Sequence, residues 1–302
     1  MHQSETSEVL PMYLIFCRRA RRDGAVLDRI AARKGFGDSE LHSKSSDPIG
    51  VFDSGIGGLS VLRELQRLMP RERFVFFADQ KHVPYGAKTA AQLKRYTGNI
   101  ARFLLARRCK IIVVACNTGT VYAIGHLRRS FPVPFIGTVP AIKPAALMSK
   151  TGVVGIMSTP ATAVSPALRL LVRTHTNGMR VIRVGCPGLE DLVESGTVSG
   201  PIVTEAIRRH LQPLITARAD VIVLGCTHYP FLVRTIRRLS GAQTIDSGRA
   251  IARRTRSVLA DAGLLRTRGV GHSVYFTNDS PEAFSRVASL LLKRKIRAQG
   301  LH

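Results

Sequence analysis

The chain has 302 residues, 45% of them hydrophobic, with 45 lysines and arginines against 20 acidic residues. That length and apolar content suffice for a full core and fit two domains, and no apolar stretch reaches the roughly 18 residues of a membrane helix. The five cysteines (17, 109, 116, 186 and 226) form no CxxC pair and are odd in number, so free thiols in a reducing, cytoplasmic compartment are expected rather than a disulfide framework.

Residues 1–47 read differently from the rest. Their basic cluster, in LPMYLIFCRRARR, follows a short apolar run, the reverse of a secretory signal. The stretch 35–48 is small and polar, and 1–47 is expected to be a poorly ordered extension. This segment holds eight of the basic and seven of the acidic residues, so the positive excess belongs to the body of the protein. From residue 48 onward, short branched runs alternate with longer amphipathic ones. Strands are expected at 49–52, 73–77, 111–115, 152–157, 180–184 and 220–225, and helices at 58–69, 91–107, 202–216 and 281–292. Such alternation predicts an α/β fold with parallel sheets. Arginine is densest in 234–256, with seven arginines and one aspartate. That stretch reads either as a surface for polyanions and anionic small molecules or as a solvated helix face.

A weak repeat runs through this pattern. GVFDSG (50–55) is followed by VVACNT (113–118), and VGIMSTP (154–160) by VLGCTH (223–228). Each half offers a strand ending in a hydroxyl-bearing turn, then a strand ending in cysteine. Open α/β sheets bind ligands outside the carboxyl ends of their strands. Two similar parallel-sheet domains in a pseudo-twofold relation would therefore bring Cys116 and Cys226 to opposite walls of one cleft.

A cysteine used as a base needs a neighbour that takes or orients its proton. His228 stands two residues after Cys226, and Asp53, at the end of the first strand, could serve Cys116 if the two strands are adjacent. Buried structural cysteines, a nucleophile or a pair of metal ligands are the other readings. No third ligand stands at recognisable spacing, and two thiol sites speak against a hydrolase. DSGIGG (53–58) opens a helix and could hold a carboxylate; its glycines fall as GxGG, not as a dinucleotide fingerprint. PYG (84–86) lies in a loop that could close over a ligand. Asn117, Thr118 and Thr227 add short polar groups. The set suits a small ligand with carboxylates and an ammonium, held without cofactor or metal.

Taken together, DSGIGG, FFAD (76–79), PYG, ACNT (115–118), PAIKPA (140–145), GCPGL…VE (185–194) and LGCTHYP (224–230) resemble the glutamate racemases, over about 48–292 and in the right order. IDSG (245–248) and FTND…F (276–284) are similar too, and CTHYP separates this family from its aspartate-racemase relatives. The resemblance implies a cofactor-independent racemase in which Cys116 and Cys226 exchange the α-proton of glutamate across its two faces. It implies that Asp53 assists Cys116 and His228 assists Cys226. It places Asp53, Ser54, Tyr85, Gly86, Asn117, Thr118, Glu194, Thr227 and His228 around the substrate. It further implies a supply of D-glutamate for peptidoglycan and a C-terminal segment that returns to the first domain. The expected division is 48–140 plus 246–302 and 141–245, with hinges near PAIKPA and Asp246. Gly119, where the family more often has alanine, the extension 1–47 and the strong basicity are departures. A homodimer is expected, as is, by analogy with family members reported to touch DNA gyrase, a weak nucleic-acid or gyrase contact. The alternatives are racemisation of aspartate or another amino acid, or a basic nucleic-acid-binding protein.

Overall fold

A computed structural model describes residues 43–301; most of the 1–47 extension, Cys17 included, lies outside the described residues. The strands are β1 (Ile49–Asp53), β2 (Phe74–Ala78), β3 (Ile111–Val114), β4 (Phe135–Gly137), β5 (Val153–Ser158), β6 (Arg180–Gly185), β7 (Val221–Leu224), β8 (Gln243–Ile245), β9 (Ser273–Thr277) and β10 (Ala298–Gln299). The helices are α1 (Leu59–Leu68), α2 (Ala90–Ala106), α3 (Asn117–Ser130), α4 (Ile142–Met148), α5 (Pro160–Ala163), α6 (Pro166–His175), α7 (Leu189–Glu194), α8 (Pro201–Thr216), α9 (Val233–Ser240), α10 (Gly248–Asp261) and α11 (Pro281–Leu292). All six expected strands and all four expected helices form, with ends shifted by a residue or two.

The strands make two sheets, ordered β10-β9-β2-β1-β3-β4 and β6-β5-β7-β8, and every pairing is parallel. The run β2-β1-β3-β4 repeats as β6-β5-β7-β8, which is the structural form of the sequence repeat. β1, β2, β3 and β7 are buried along their whole length. Strands covered on both faces read as unbroken apolar runs, which is why they are legible. β6 instead lies at an edge and carries Arg180 and Arg183, charges that blunt further strand pairing.

The chain leaves the first sheet after β4 and returns to it with β9. α10 packs on α1, and α4 joins the core of the second sheet through Ile142 and Ala145. The two crossovers touch, since Ser247 Oγ donates to the Val139 carbonyl at 2.6 Å. One apolar cluster, from Ile56 and Leu59 to Leu189 and Val193, is shared by the two halves. Among the described residues Lys110 is the one buried lysine or arginine; its ammonium donates to Glu72 Oε2 at 2.7 Å and to the carbonyls of Ser45 and Leu264. A charge taken from water survives only with such partners, and here it ties residues 43–48 and the loop before β9 to the foot of β3.

Candidate active site

Both sheets put their carboxyl ends toward one cleft, and in each the two central strands diverge there. Parallel sheets open a ligand crevice at that switch of strand order. β1 and β3 are paired up to Phe52 and Val114, so Asp53 and Ser54 emerge beside Ala115 and Cys116. β5 and β7 are paired up to Met157 and Leu224, so Ser158 and Thr159 emerge beside Gly225 and Cys226. The cleft is narrow and is lined by both cysteines. Of the expected residues, Ser54, Tyr85, Gly86, Asn117, Thr118, Thr227 and His228 share that lining.

Cys116 caps α3: the Gly119 N–H donates to its sulfur at 3.3 Å, and the thiol reaches Ser54 Oγ at 3.7 Å. Helix N-termini favour an anion, yet burial pushes this thiol well above its ordinary range, and the nearby Asp53 carboxyl pushes it further. Cys226 is raised by burial too, but His228 pulls against that rise. Its sulfur lies 3.4 Å from His228 Nδ1. Burial would drain the imidazole of its proton; the Cys226 and Glu194 charges overcome that and hold His228 well above 6.5.

Glu194 stands behind His228 rather than on the cleft wall. Its Oε1 lies 2.7 Å from His228 Nε2 and accepts from the Ile56 N–H at 2.7 Å, while Oε2 accepts from Gln80 at 2.8 Å. Burial would raise this carboxyl, but these donors and the imidazolium bring it below its usual range. Its expected place among the substrate contacts therefore becomes a place behind the histidine. Asp53 is likewise off the wall and fully buried; its Oδ2 accepts from Thr227 Oγ1 of the other half at 2.8 Å, and its Oδ1 has no partner. Burial raises the Asp53 carboxyl, against the pull of His228.

The PYG loop is held from below. Tyr85 OH donates to Asp79 Oδ2 at 2.6 Å, and Asp79 also accepts from His82 and Asn278. Two further polar wall residues escaped the sequence reading. Thr159, whose hydroxyl meets that of Thr118 at 3.3 Å, was marked only by its place in the repeat. Glu190, in the first turn of α7, carried no signal beyond lying between CPG and Glu194. Cys109 and Cys186 lie in the core, where burial pushes each thiol to about 12. Among the described residues no three His, Cys, Asp or Glu side chains converge as a metal site requires.

Paired parallel sheets bring two thiols with unlike partners to one cleft, which makes this an α/β protein with a candidate small-ligand site between its sheets. The family model for Asp/Glu/hydantoin racemases matches residues 49–255. The glutamate racemase of Roseiflexus sp. (strain RS-1) is 41% identical over 252 residues, covering 82% of this chain and 93% of that protein. The solved glutamate racemase isoform RacE1 of Bacillus anthracis superposes with a TM-score of 0.78 at 28% identity, over 86% of this chain and 98% of that one. The glutamate racemase of Francisella tularensis, solved with D-glutamate, gives 0.76 at 29% identity, over 85% and 98%. The chain belongs to the Asp/Glu/hydantoin racemase family, and it is a racemase.

Proposed function

We propose that this racemase interconverts L- and D-glutamate without a cofactor, by two bases, and so supplies D-glutamate for peptidoglycan in the cytoplasm. The observation that carries the reading is the convergence of Cys116 and Cys226, from separate sheets, on one cleft. The relatives support glutamate as substrate: they are glutamate racemases, and one neighbour is solved with D-glutamate.

In one direction a Cys226 thiolate, facing the His228 imidazolium, takes the α-proton from one face of the amino acid. The Cys116 thiol gives its proton to the opposite face, and Cys116 is left as the thiolate. In the reverse direction the roles exchange. The α-carbon of an amino acid is a very weak acid, so the carbanion must form where donors are already in place and water is scarce. Ser54, Asn117, Thr118 and Thr227 are the short donors that would hold the carboxylates, with Tyr85 and Gly86 closing that end. Asp53 serves Cys116, and Glu194 acts through His228.

The test is proton NMR of L- and of D-glutamate with the protein in deuterated buffer, beside Cys116→Ala and Cys226→Ala variants. Both enantiomers should lose their α-proton signal, and either substitution should abolish the loss or make it one-sided. Exchange with aspartate alone would move the substrate and keep the mechanism. No exchange with either would overturn the reading.

A further inference from the structure

Among the described residues Glu190 is the only carboxyl side chain on the cleft wall, and no lysine or arginine shares that wall. Its residue is 7% exposed, with Cys226, His228, Tyr229 and Cys186 as its neighbours. The one cation on the wall is His228, and that charge is already matched by Glu194 at 2.7 Å behind it. A second carboxylate beside Cys226 thus lacks a counter-ion of its own. A buried charge is costly unless paired, so an ionised Glu190 calls for a cation from the ligand.

Resting on the reading above, we propose that Glu190 is a specificity-determining residue: it receives the α-ammonium of the substrate and discriminates against dicarboxylates that lack one. The other acidic group nearby is less suited to that task. Asp53 has a free Oδ1 but lies behind the wall with no exposed surface, its Oδ2 held by Thr227. The far side of the cleft offers hydroxyls and an amide at the N-terminus of α3, which suit carboxylates rather than an ammonium. Burial raises the Glu190 carboxyl against the pull of His228, and a cation placed beside it would favour its charged form. A simple dicarboxylate brings no such cation and meets either a repelling charge or a carboxyl that has nothing to neutralise.

The test is isothermal calorimetry on wild type and Glu190→Gln, with two ligand pairs: glutamate against glutarate, and aspartate against succinate. Each pair differs only by the amino group. Wild type should prefer the amino acid by about tenfold or more, as a charge-assisted contact implies. In Glu190→Gln the amino acid should weaken and the plain dicarboxylate tighten, so that the preference collapses toward one. A crossing of that kind is not what a merely structural loss would give, since that weakens both ligands alike. An unchanged preference, or equal weakening of both, would overturn the proposal. Should Glu190→Gln fail to fold by circular dichroism, Glu190→Asp keeps the charge but withdraws it by one methylene. It should keep the sign of the preference and lose part of its size; a full preference in Glu190→Asp would overturn the proposal. Wild-type turnover of glutamate is followed alongside. Its absence would sink the functional reading, while the two binding pairs would still decide the role of Glu190.

Discussion

His228 is held between two partners, with Cys226 3.4 Å from one ring nitrogen and Glu194 2.7 Å from the other. The buried ring keeps its proton because both neighbours gain from it, and the thiolate that would act as base is matched by that same proton. The signs of the two shifts fix a pH window. Glu194 lies below 4.5 in the folded protein, so its contribution to stability is present above the ordinary carboxylate range and is lost as pH falls through the folded value. His228 lies well above 6.5; its contribution is complete below 6.5 and is lost as pH rises through that folded value. Both charges stand between those limits. Glu194→Gln should therefore lower Tm most near about pH 6, and hardly at all in strongly alkaline solution where His228 is neutral. It should also cut kcat by at least about tenfold in the direction that uses Cys226 as base, and move the alkaline limb of that profile to lower pH. A Tm difference that stays flat across pH would show that the pair does not carry the charges argued for it.

The turn Ile56–Gly58 shows how much an element owes to the element it meets. A Cβ on Gly57 would lie 2.6 Å from His228 Nδ1 and 2.7 Å from Thr227 Oγ1. The glycine is there because the other half of the molecule comes so near, and nothing in DSGIGG itself says so. Gly57→Ala should keep its far-UV circular dichroism while raising KM and cutting kcat by about 100-fold, because a shift of an ångström at the reacting groups is that costly. A kcat near that of wild type would mean that the halves can separate slightly without harm. The same distinction separates what the sequence revealed from what it hid. The apolar runs ending in Asp53, Cys116 and Cys226 were legible because each is a fully buried parallel strand with a polar end. β4 and β8 are three residues long and β10 only two, too short for any pattern to stand out. The Thr227–Asp53 bond joins residues 174 apart, and the placing of Glu190 on the wall and Glu194 behind it depends on how α7 docks. Contacts made by docking leave no local periodicity. The arginines of 234–256 stand on exposed or half-exposed positions of α9 and α10, the solvated faces that the composition allowed.

At the scale of the whole molecule the difficulty is entry. Cys116 and Cys226 are each only 6% exposed, in a cleft that glutamate must nevertheless reach. Polar contacts join the two halves, among them Ser60 Oγ to the Thr227 carbonyl at 2.8 Å and Glu194 to the Ile56 N–H at 2.7 Å. The connections between the two sheets meet where Ser247 donates to Val139. Were these crossovers to serve as the hinge expected from the sequence, opening about them would part the apolar cluster that the halves share and expose both thiols at once. Water exclusion in the closed form and access in the open form then belong to one motion. Alkylation by iodoacetamide, read peptide by peptide with mass spectrometry, tests this. Cys116 and Cys226 should react at similar rates set by opening, and saturating glutamate should slow both by about tenfold or more as it favours the closed form. Cys109 and Cys186, with thiols near 12 inside the cores, should react only on global unfolding and should not respond to glutamate below the unfolding transition. Equal reactivity of all four, or protection of one cleft cysteine without the other, would mean that the halves do not open as units.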